Sequence, residues 1–206
     1  MRNMSDETKQ LLSGLARDLD RHFDGVIVTF QQPLFAYAYR MSGCRQDAEE
    51  VVQDVFMRAY RALQGYEPER IRSMAIKAWL FRICINQIRN KHRRHAVPTA
   101  DLPDELPEHG RPDPVATTFD DRESDQEMRA LLLRLPSTYR PAVVLKFVND
   151  LSYSEIAEAL GQPEGTVKSN VHRGLKLLRS YLESEKKPGF SSIPPSDLPV
   201  LTGETA

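Results

Sequence analysis

The sequence predicts an all-α protein built from two helical domains joined by a flexible, acidic, proline-rich linker. Apolar residues recur at helical spacing in both halves of the 206-residue chain, and we find no segment with the two-residue alternation typical of a strand. Residues 96–114 carry prolines and carboxylates with little apolar content, which favours an extended linker. Apolar residues make up 40% of the chain, enough for packed cores. No apolar run is long enough to cross a membrane.

We predict five consecutive segments. They are an N-terminal extension (1–29), a first helical domain (30–95), a flexible linker (96–125), a second helical domain (126–185) and a disordered tail (186–206). The N-terminus lacks the apolar core of a secretion signal, so we expect the protein to act in the cytoplasm.

The first domain reads as consecutive helices. An aromatic-rich helix should end near Gly43, and the next should begin at Asp47, which with Glu50 forms a variant capping box. That second helix should end at Gly65 and bury one broad face, formed by Val51, Val52, Val55, Phe56, Ala59, Tyr60 and Leu63. We expect a loop over 65–74. A third helix over about 75–92 should bury Ile76, Leu80, Ile83, Cys84 and Ile88.

The second domain contains a helix-turn-helix pattern. Ser152 and Glu155 form a capping box, Gly161 permits a sharp corner, and Pro163 suits the start of the next helix. That helix should bury Val167, Val171, Leu175, Leu178 and Leu182. Its outer side should present Thr166, Lys168, Ser169, Asn170, His172, Arg173 and Lys176. In a helix-turn-helix protein such a second helix enters the major groove. An ordinary helical hairpin with a polar face is the alternative.

Charge is distributed unevenly although the net charge is only −1. Residues 70–95 hold eight Lys/Arg and no carboxylate, whereas residues 96–127 hold ten Asp/Glu against two Arg. Arg82, Asn86, Arg89 and Arg93 fall on one outer stripe of the predicted third helix. Basic residues interleaved with aromatics are typical of a surface that binds single-stranded nucleic acid. The alternative is that this basic stripe is only a solvated helix face. Trp79 is at least as well explained as a residue of the hydrophobic core.

Little in the sequence points to catalysis. We find neither a Ser/His/Asp set nor a glycine-rich phosphate loop, and Arg93 and Arg94 beside His92 and His95 would repel a metal ion. We therefore expect no catalytic residues, no metal and no cofactor. Cys44 and Cys84 stand in apolar contexts and should pack as reduced core residues, although a disulfide is possible.

Two motifs together resemble the extracytoplasmic-function (group 4) sigma factors of RNA polymerase. "DAEEVVQDVFMRAYRAL" with "AWLFRICINQIRNKHRR" is similar to their region 2, and "LPSTYRPAVVLKFVNDLSYSEIAEALGQPEGTVKSNVHRGLKLLR" to their region 4. The resemblance implies a transcription initiation factor that binds core RNA polymerase and promoter DNA, without membrane insertion. It also implies an anti-sigma partner. The alternative is a stand-alone helix-turn-helix transcriptional regulator whose DNA binding does not depend on RNA polymerase.

The resemblance also implies site residues. The clamp helices of the largest polymerase subunit would contact Asp47, Glu50, Gln53, Asp54 and Arg58, and the polymerase flap would contact region 4. The melted minus-ten strand would contact Tyr66, Lys77, Trp79, Arg82, Asn86, Arg89, Asn90 and Arg93. The minus-thirty-five element would contact the outer side of the second helix of the helix-turn-helix, called the recognition helix. The contacting residues would be Thr166, Lys168, Ser169, Asn170, His172, Arg173 and Lys176.

Overall fold

In the computed structural model the structure describes residues 4–95 and 119–185, and every regular element within these ranges is a helix. This confirms the predicted all-α fold. The described helices are α1 (Met4–Arg17), α2 (Leu19–Ser42), α3 (Arg45–Gln64), α4 (Pro68–Ser73), α5 (Ile76–His95), α6 (Phe119–Arg134), α7 (Arg140–Phe147), α8 (Tyr153–Leu160) and α9 (Glu164–Glu185). The tail and most of the predicted linker lie outside the described residues.

Helices α1 and α2 build the first layer of the N-terminal domain. Asp18 caps α2 by accepting a hydrogen bond from the Arg21 backbone N–H at 3.1 Å, and Gly43 ends it with a left-handed φ of 76°. Leu12 and Leu15 of α1 are buried, and α1 packs against α2 and α4. The predicted boundary between residues 29 and 30 therefore lies inside a continuous helix.

Helix α3 begins two residues earlier than predicted. Cys44 occupies the N-cap position and provides no side-chain cap, whereas Asp47 lies within the first helical turn. The predicted capping role of Asp47 is wrong because its carboxylate pairs with Lys91 of α5 instead, at 2.7 Å. The predicted apolar face of α3 is confirmed, with Tyr60 half-buried at its edge, and the helix ends at Gly65 as expected.

The segment expected to be a loop contains a short helix. Pro68 starts α4 at a position where its missing N–H is not needed, and Ile71 is buried. Helix α5 then runs from Ile76, close to the predicted start, and buries the expected stripe except for Ile83, which is half-buried. Phe81 is also fully buried and packs edge-on against Tyr37, with ring centroids 5.7 Å apart.

The C-terminal domain comprises α6 to α9. Helix α6 starts at Phe119, so the last residues of the predicted linker 96–125 and the predicted boundary at 126 both fall within a helix. Ser152 caps α8 through the complete predicted capping box, and Gly161 adopts the left-handed conformation, with φ of 65°, that turns the chain into α9. The helix-turn-helix geometry is confirmed at these residues.

The buried side of α9 differs from the predicted stripe. Val167 and Val171 are buried as expected, but Leu175 and Leu182 are exposed, while Asn170 and Gly174 face inward. Successive residues of the predicted buried stripe are mostly four positions apart. In a helix of 3.6 residues per turn, each step of four moves the side chain by about 40° around the helix axis. Alternating steps of three and four residues keep the true stripe on one side.

The two domains pack against each other. Helix α8 lies on α5, and α6 and α7 lie on α2. Buried side chains of both domains consequently form one continuous apolar cluster.

Candidate nucleic-acid interface

The outer side of α9 presents most of the residues predicted to read duplex DNA. Thr166, Ser169 and Lys168 are exposed near the start of the helix, and His172, Arg173 and Lys176 are exposed further along it. Lys168 lies 2.7 Å from Glu164, and hydrogen bonding to that carboxylate raises the pKa of Lys168. The first turn thus carries a charge pair, whereas the following turns carry the exposed Arg173 and Lys176.

Asn170 does not share this exposure. Its side chain is only 6% exposed and its Nδ2 donates to Gln162 Oε1 at 3.3 Å. The expectation that Asn170 flanks the outer stripe is wrong, because the amide points towards the corner between α8 and α9. Its observed contact joins the corner to the recognition helix.

The basic stripe of α5 faces outward as predicted. Arg82, Asn86, Arg89 and Arg93 are all exposed. Arg93 donates to the Asn90 side chain at 3.2 Å, and Asn90 is half-buried beside the stripe. Lys77, at the start of the helix, is half-buried. The cationic surface therefore follows several turns of α5.

An aromatic cluster lies beside the start of α5. The Tyr66 and Trp79 rings are 6.0 Å apart and inclined at 55°, and the Arg70 guanidinium lies 3.6 Å above the Tyr66 ring. Trp79 is half-buried and packs against the hydrophobic core. Sequence reasoning missed Arg70, although its four-residue spacing from Tyr66 was a usable signal.

A third surface lies on α3. Two of the α3 carboxylates predicted to bind polymerase form ion pairs with Lys91 of α5. Its Nζ atom lies 2.7 Å from Asp47 Oδ1 and 2.6 Å from Glu50 Oε2. Desolvation opposes the charge of Lys91, but hydrogen bonds to both carboxylates raise its pKa above the ordinary value. Gln53 and Arg58 are exposed and Asp54 is half-buried. Met57, 52% exposed between them, is an apolar residue that the site prediction left out.

In the part of the chain that the structure describes, no group of three or more potential metal ligands occurs, and no helix is long and apolar enough to span a membrane. Cys44 and Cys84 are free thiols rather than a disulfide. Burial strongly raises the pKa of Cys84, which keeps it protonated.

The described residues combine a helix-turn-helix with a basic helix flanked by aromatic side chains, an arrangement typical of a two-domain nucleic-acid-binding protein. Residues 26–97 match the model of Sigma-70 region 2, and residues 125–178 match that of Sigma-70, region 4. These matches coincide with the N-terminal and C-terminal domains respectively.

Named relatives agree with this class. The chain is 34% identical to the ECF RNA polymerase sigma factor SigE of Mycolicibacterium smegmatis over 78% of its own length, and it spans 61% of that relative. It is 32% identical to SigL of Mycobacterium tuberculosis, covering 73% of this chain and 82% of SigL. The protein therefore belongs to the extracytoplasmic-function family of RNA polymerase sigma factors.

A solved structure shares the arrangement of the fold. The sigma factor RpoE in its complex with the anti-sigma factor NepR from Bartonella quintana superimposes with a TM-score of 0.59. The sequences are 25% identical, and the match covers 80% of this chain and 98% of that chain.

Proposed function

We propose that this sigma factor brings core RNA polymerase to promoters by reading paired DNA with its C-terminal domain and unpaired DNA with its N-terminal domain. The observation that carries the proposal is the simultaneous exposure of two different cationic surfaces on two domains. One is the outer side of α9 and the other is the basic stripe of α5. Neither surface is neutralised by the acidic residues of the other domain in the described ion pairs.

Duplex recognition rests on the outer side of α9. A helix following a helix-turn-helix corner presents its N-terminal half to base edges in the major groove. Arg173 can form two hydrogen bonds to a guanine, and such a contact discriminates between bases by about 1–3 kcal/mol. The remaining contacts to the minus-thirty-five element come from Thr166, Lys168, Ser169, His172 and Lys176. Asn170 stabilises the helix from its buried side through its hydrogen bond to Gln162.

Capture of the melted minus-ten strand rests on α5 and the preceding turn. Unstacking a base costs a few kcal/mol, and stacking on an aromatic side chain returns about 1–3 kcal/mol per base. Tyr66 and Trp79 offer the aromatic faces, and Arg82, Asn86, Arg89 and Arg93 line the backbone path, with Lys77 and Asn90 at its edges. Trapping a transiently opened strand requires no hydrolysis, so we propose a non-enzymatic mechanism.

Polymerase binding rests on α3 and on region 4. The surface for the clamp helices of the largest subunit is formed by Gln53, Asp54 and Arg58, together with Asp47 and Glu50, which pair with Lys91. Region 4 binds the polymerase flap. The protein acts on the polymerase in the cytoplasm. The RpoE–NepR complex supports an anti-sigma factor as a further partner, because this chain shares its fold with a sigma factor bound in that way.

Transcription in vitro from a promoter library, with core polymerase and the full chain, tests this function. Start sites should appear only when the protein is present and should share two elements. Arg173→Ala should weaken initiation by about tenfold to a hundredfold on promoters with an intact minus-thirty-five element. Arg82→Ala should reduce promoter opening instead, which permanganate footprinting of the melted region measures.

The control is Arg179→Ala, which removes an exposed arginine from the same helix as Arg173 but outside the proposed contacts. It should initiate as the wild type does. Failure of the wild-type protein to direct initiation at any defined site would reject the proposed function. Equal losses in Arg179→Ala and Arg173→Ala would reject the assignment of the recognition surface.

A further inference from the structure

The recognition helix begins with an exposed ion pair that includes a carboxylate. Glu164, the first residue of α9, places its Oε1 atom 2.7 Å from Lys168 Nζ. Both side chains remain accessible to solvent, with exposed fractions of 46% for Glu164 and 55% for Lys168. A carboxylate and an ammonium group therefore lie side by side at the end of α9 that enters the major groove in a helix-turn-helix protein.

The ammonium group of Lys168 is also positioned by the preceding helix. Its Nζ atom lies 5.6 Å from the centre of the Tyr153 ring at the start of α8, and Lys146 Nζ lies 5.1 Å from the same ring. Lys146 in turn donates a hydrogen bond to the Leu151 carbonyl at 3.2 Å. Glu164 and Tyr153 thus restrict the position of Lys168 before DNA is bound, which lowers the entropy cost of a later contact.

Stability alone is a weak explanation for this ion pair. Exposed pairs four residues apart on a helix contribute little to the free energy of unfolding. A carboxylate on a DNA-binding surface is also repelled by the negative phosphates of the duplex. It is compatible with binding where a hydrogen-bond donor of the DNA offsets this repulsion. In the major groove those donors are the amino groups of cytosine and adenine.

The ion pair matches the major-groove edge of a G·C base pair. Guanine presents the acceptors O6 and N7, and cytosine presents the donor N4. A hydrogen bond of about 2.9 Å joins O6 to N4, close to the 2.7 Å between Lys168 Nζ and Glu164 Oε1. Lys168 can therefore donate to O6 and N7 while Glu164 accepts from N4. An A·T pair fits less well, because adenine N7 would lie beside the carboxylate and the thymine methyl group beside the ammonium.

We propose that Glu164 and Lys168 act together to select one G·C base pair in the minus-thirty-five element, with guanine on the Lys168 side. This step rests on the proposed function, because it requires α9 to lie in the major groove. Glu164 is an additional specificity-determining residue, and its presence makes Lys168 a base-specific donor. Tyr153 is a positioning residue, since it restricts where the Lys168 ammonium lies.

Transcription in vitro from promoters randomised across the minus-thirty-five element, with core polymerase and the full chain, tests this selection. The wild type should prefer G·C over A·T at one position, and Glu164→Gln should lower that preference by about fivefold to a hundredfold. Lys168→Gln should lower the preference at the same position. Glu183→Gln is the matched control, because Glu183 is an exposed carboxylate near the other end of α9, and it should keep the wild-type preference.

A charge-swapped double variant separates base selection from helix stabilisation. Glu164→Lys combined with Lys168→Glu keeps an ion pair four residues apart but exchanges the positions of the donor and the acceptor. Its preference at that position should therefore invert from G·C to C·G. A pair that only stabilises the helix would give no such inversion.

Unchanged base preferences in both Glu164→Gln and the charge-swapped variant would overturn the proposal. So would a Lys168→Gln holoenzyme that binds all promoters more weakly by the same factor and with a salt dependence smaller by about one ion, because Lys168 would then contact a phosphate. Arg173→Ala distinguishes these results from a failure of the proposed function. If Arg173→Ala changes the preference at a different position while Glu164→Gln changes none, α9 still reads the duplex and only the proposed selection by Glu164 and Lys168 fails.

Discussion

Gly174 is the residue whose substitution tests the packing of the recognition helix most directly. A Cβ atom added there would lie 2.5 Å from Val143 Cγ2 and 3.3 Å from Tyr139 Cβ. Carbon atoms in good contact are about 3.5–4.0 Å apart, so the overlap with the valine methyl is at least about 1 Å. Val143 is buried and its branched side chain has few alternative rotamers. Gly174→Ala should therefore push α9 away from α7.

The magnitude follows from two opposing effects. Alanine in a helix is more favourable than glycine by about 1 kcal/mol, whereas an extra methyl group in a packed core costs about 1–3 kcal/mol. Gly165 on the same helix has nothing within 4 Å of an added Cβ. Gly165→Ala should consequently be neutral or stabilising by up to about 1 kcal/mol. The difference between the two variants should be about 1–3 kcal/mol, mostly due to overpacking.

Urea unfolding followed by circular dichroism measures this difference. A double variant, Gly174→Ala with Val143→Ala, should recover part of the loss, because the second change removes the methyl groups that the new Cβ would meet. A Gly174→Ala protein as stable as Gly165→Ala would refute the packing described for α7 and α9. So would a double variant whose loss equals the sum of the two single losses.

Three further outcomes follow from local features. Ser152→Ala should lower the free energy of unfolding by about 1 kcal/mol by removing the α8 cap, and a loss below about 0.2 kcal/mol in thermal unfolding would argue against that role. Lys91→Met should lower the free energy of unfolding by up to about 1 kcal/mol. Because pairing raises the pKa of Lys91 in the folded protein, this difference from wild type should be fully present below the ordinary lysine pKa of 10.5 and should shrink as the pH rises through the higher folded pKa. Unfolding experiments at a series of pH values between about 7 and 12 check this. Native Cys84 should resist iodoacetamide while Cys44 reacts, since burial keeps the Cys84 thiol protonated and inaccessible; comparable labelling of both in folded protein would contradict this.

Local signals in the sequence predicted the parts of the fold that depend on neighbouring residues. The Ser152 capping box involves residues three apart, and the left-handed corners at Gly43 and Gly161 depend on one residue each. The apolar face of α3 follows from periodicity alone. Exposure of the α5 arginines was predictable for the same reason, because the opposite side of that helix was apolar.

Contacts between distant residues account for what the sequence did not predict. Asp47 looked like an N-cap, but its partner Lys91 is on another helix. Asn170 was expected on the outer side of α9, but the corner between α8 and α9 turns its amide inward to Gln162, eight residues earlier. Arg129 and Gly43 are separated by 86 residues, and Asn149 and Pro33 by 116. No periodicity or spacing rule links such pairs.

Two hydrogen bonds that join the domains, from Arg129 to the Gly43 carbonyl and from Asn149 to the Pro33 carbonyl, have an evolutionary consequence. The oxygen atoms at Gly43 and Pro33 belong to the main chain, so no side-chain replacement in α2 can delete them. Natural variation can retune these two bonds directly only at the donors, Arg129 and Asn149. Related chains that differ at those two positions should differ in the strength of this contact between the domains, even where the outer side of α9 is identical.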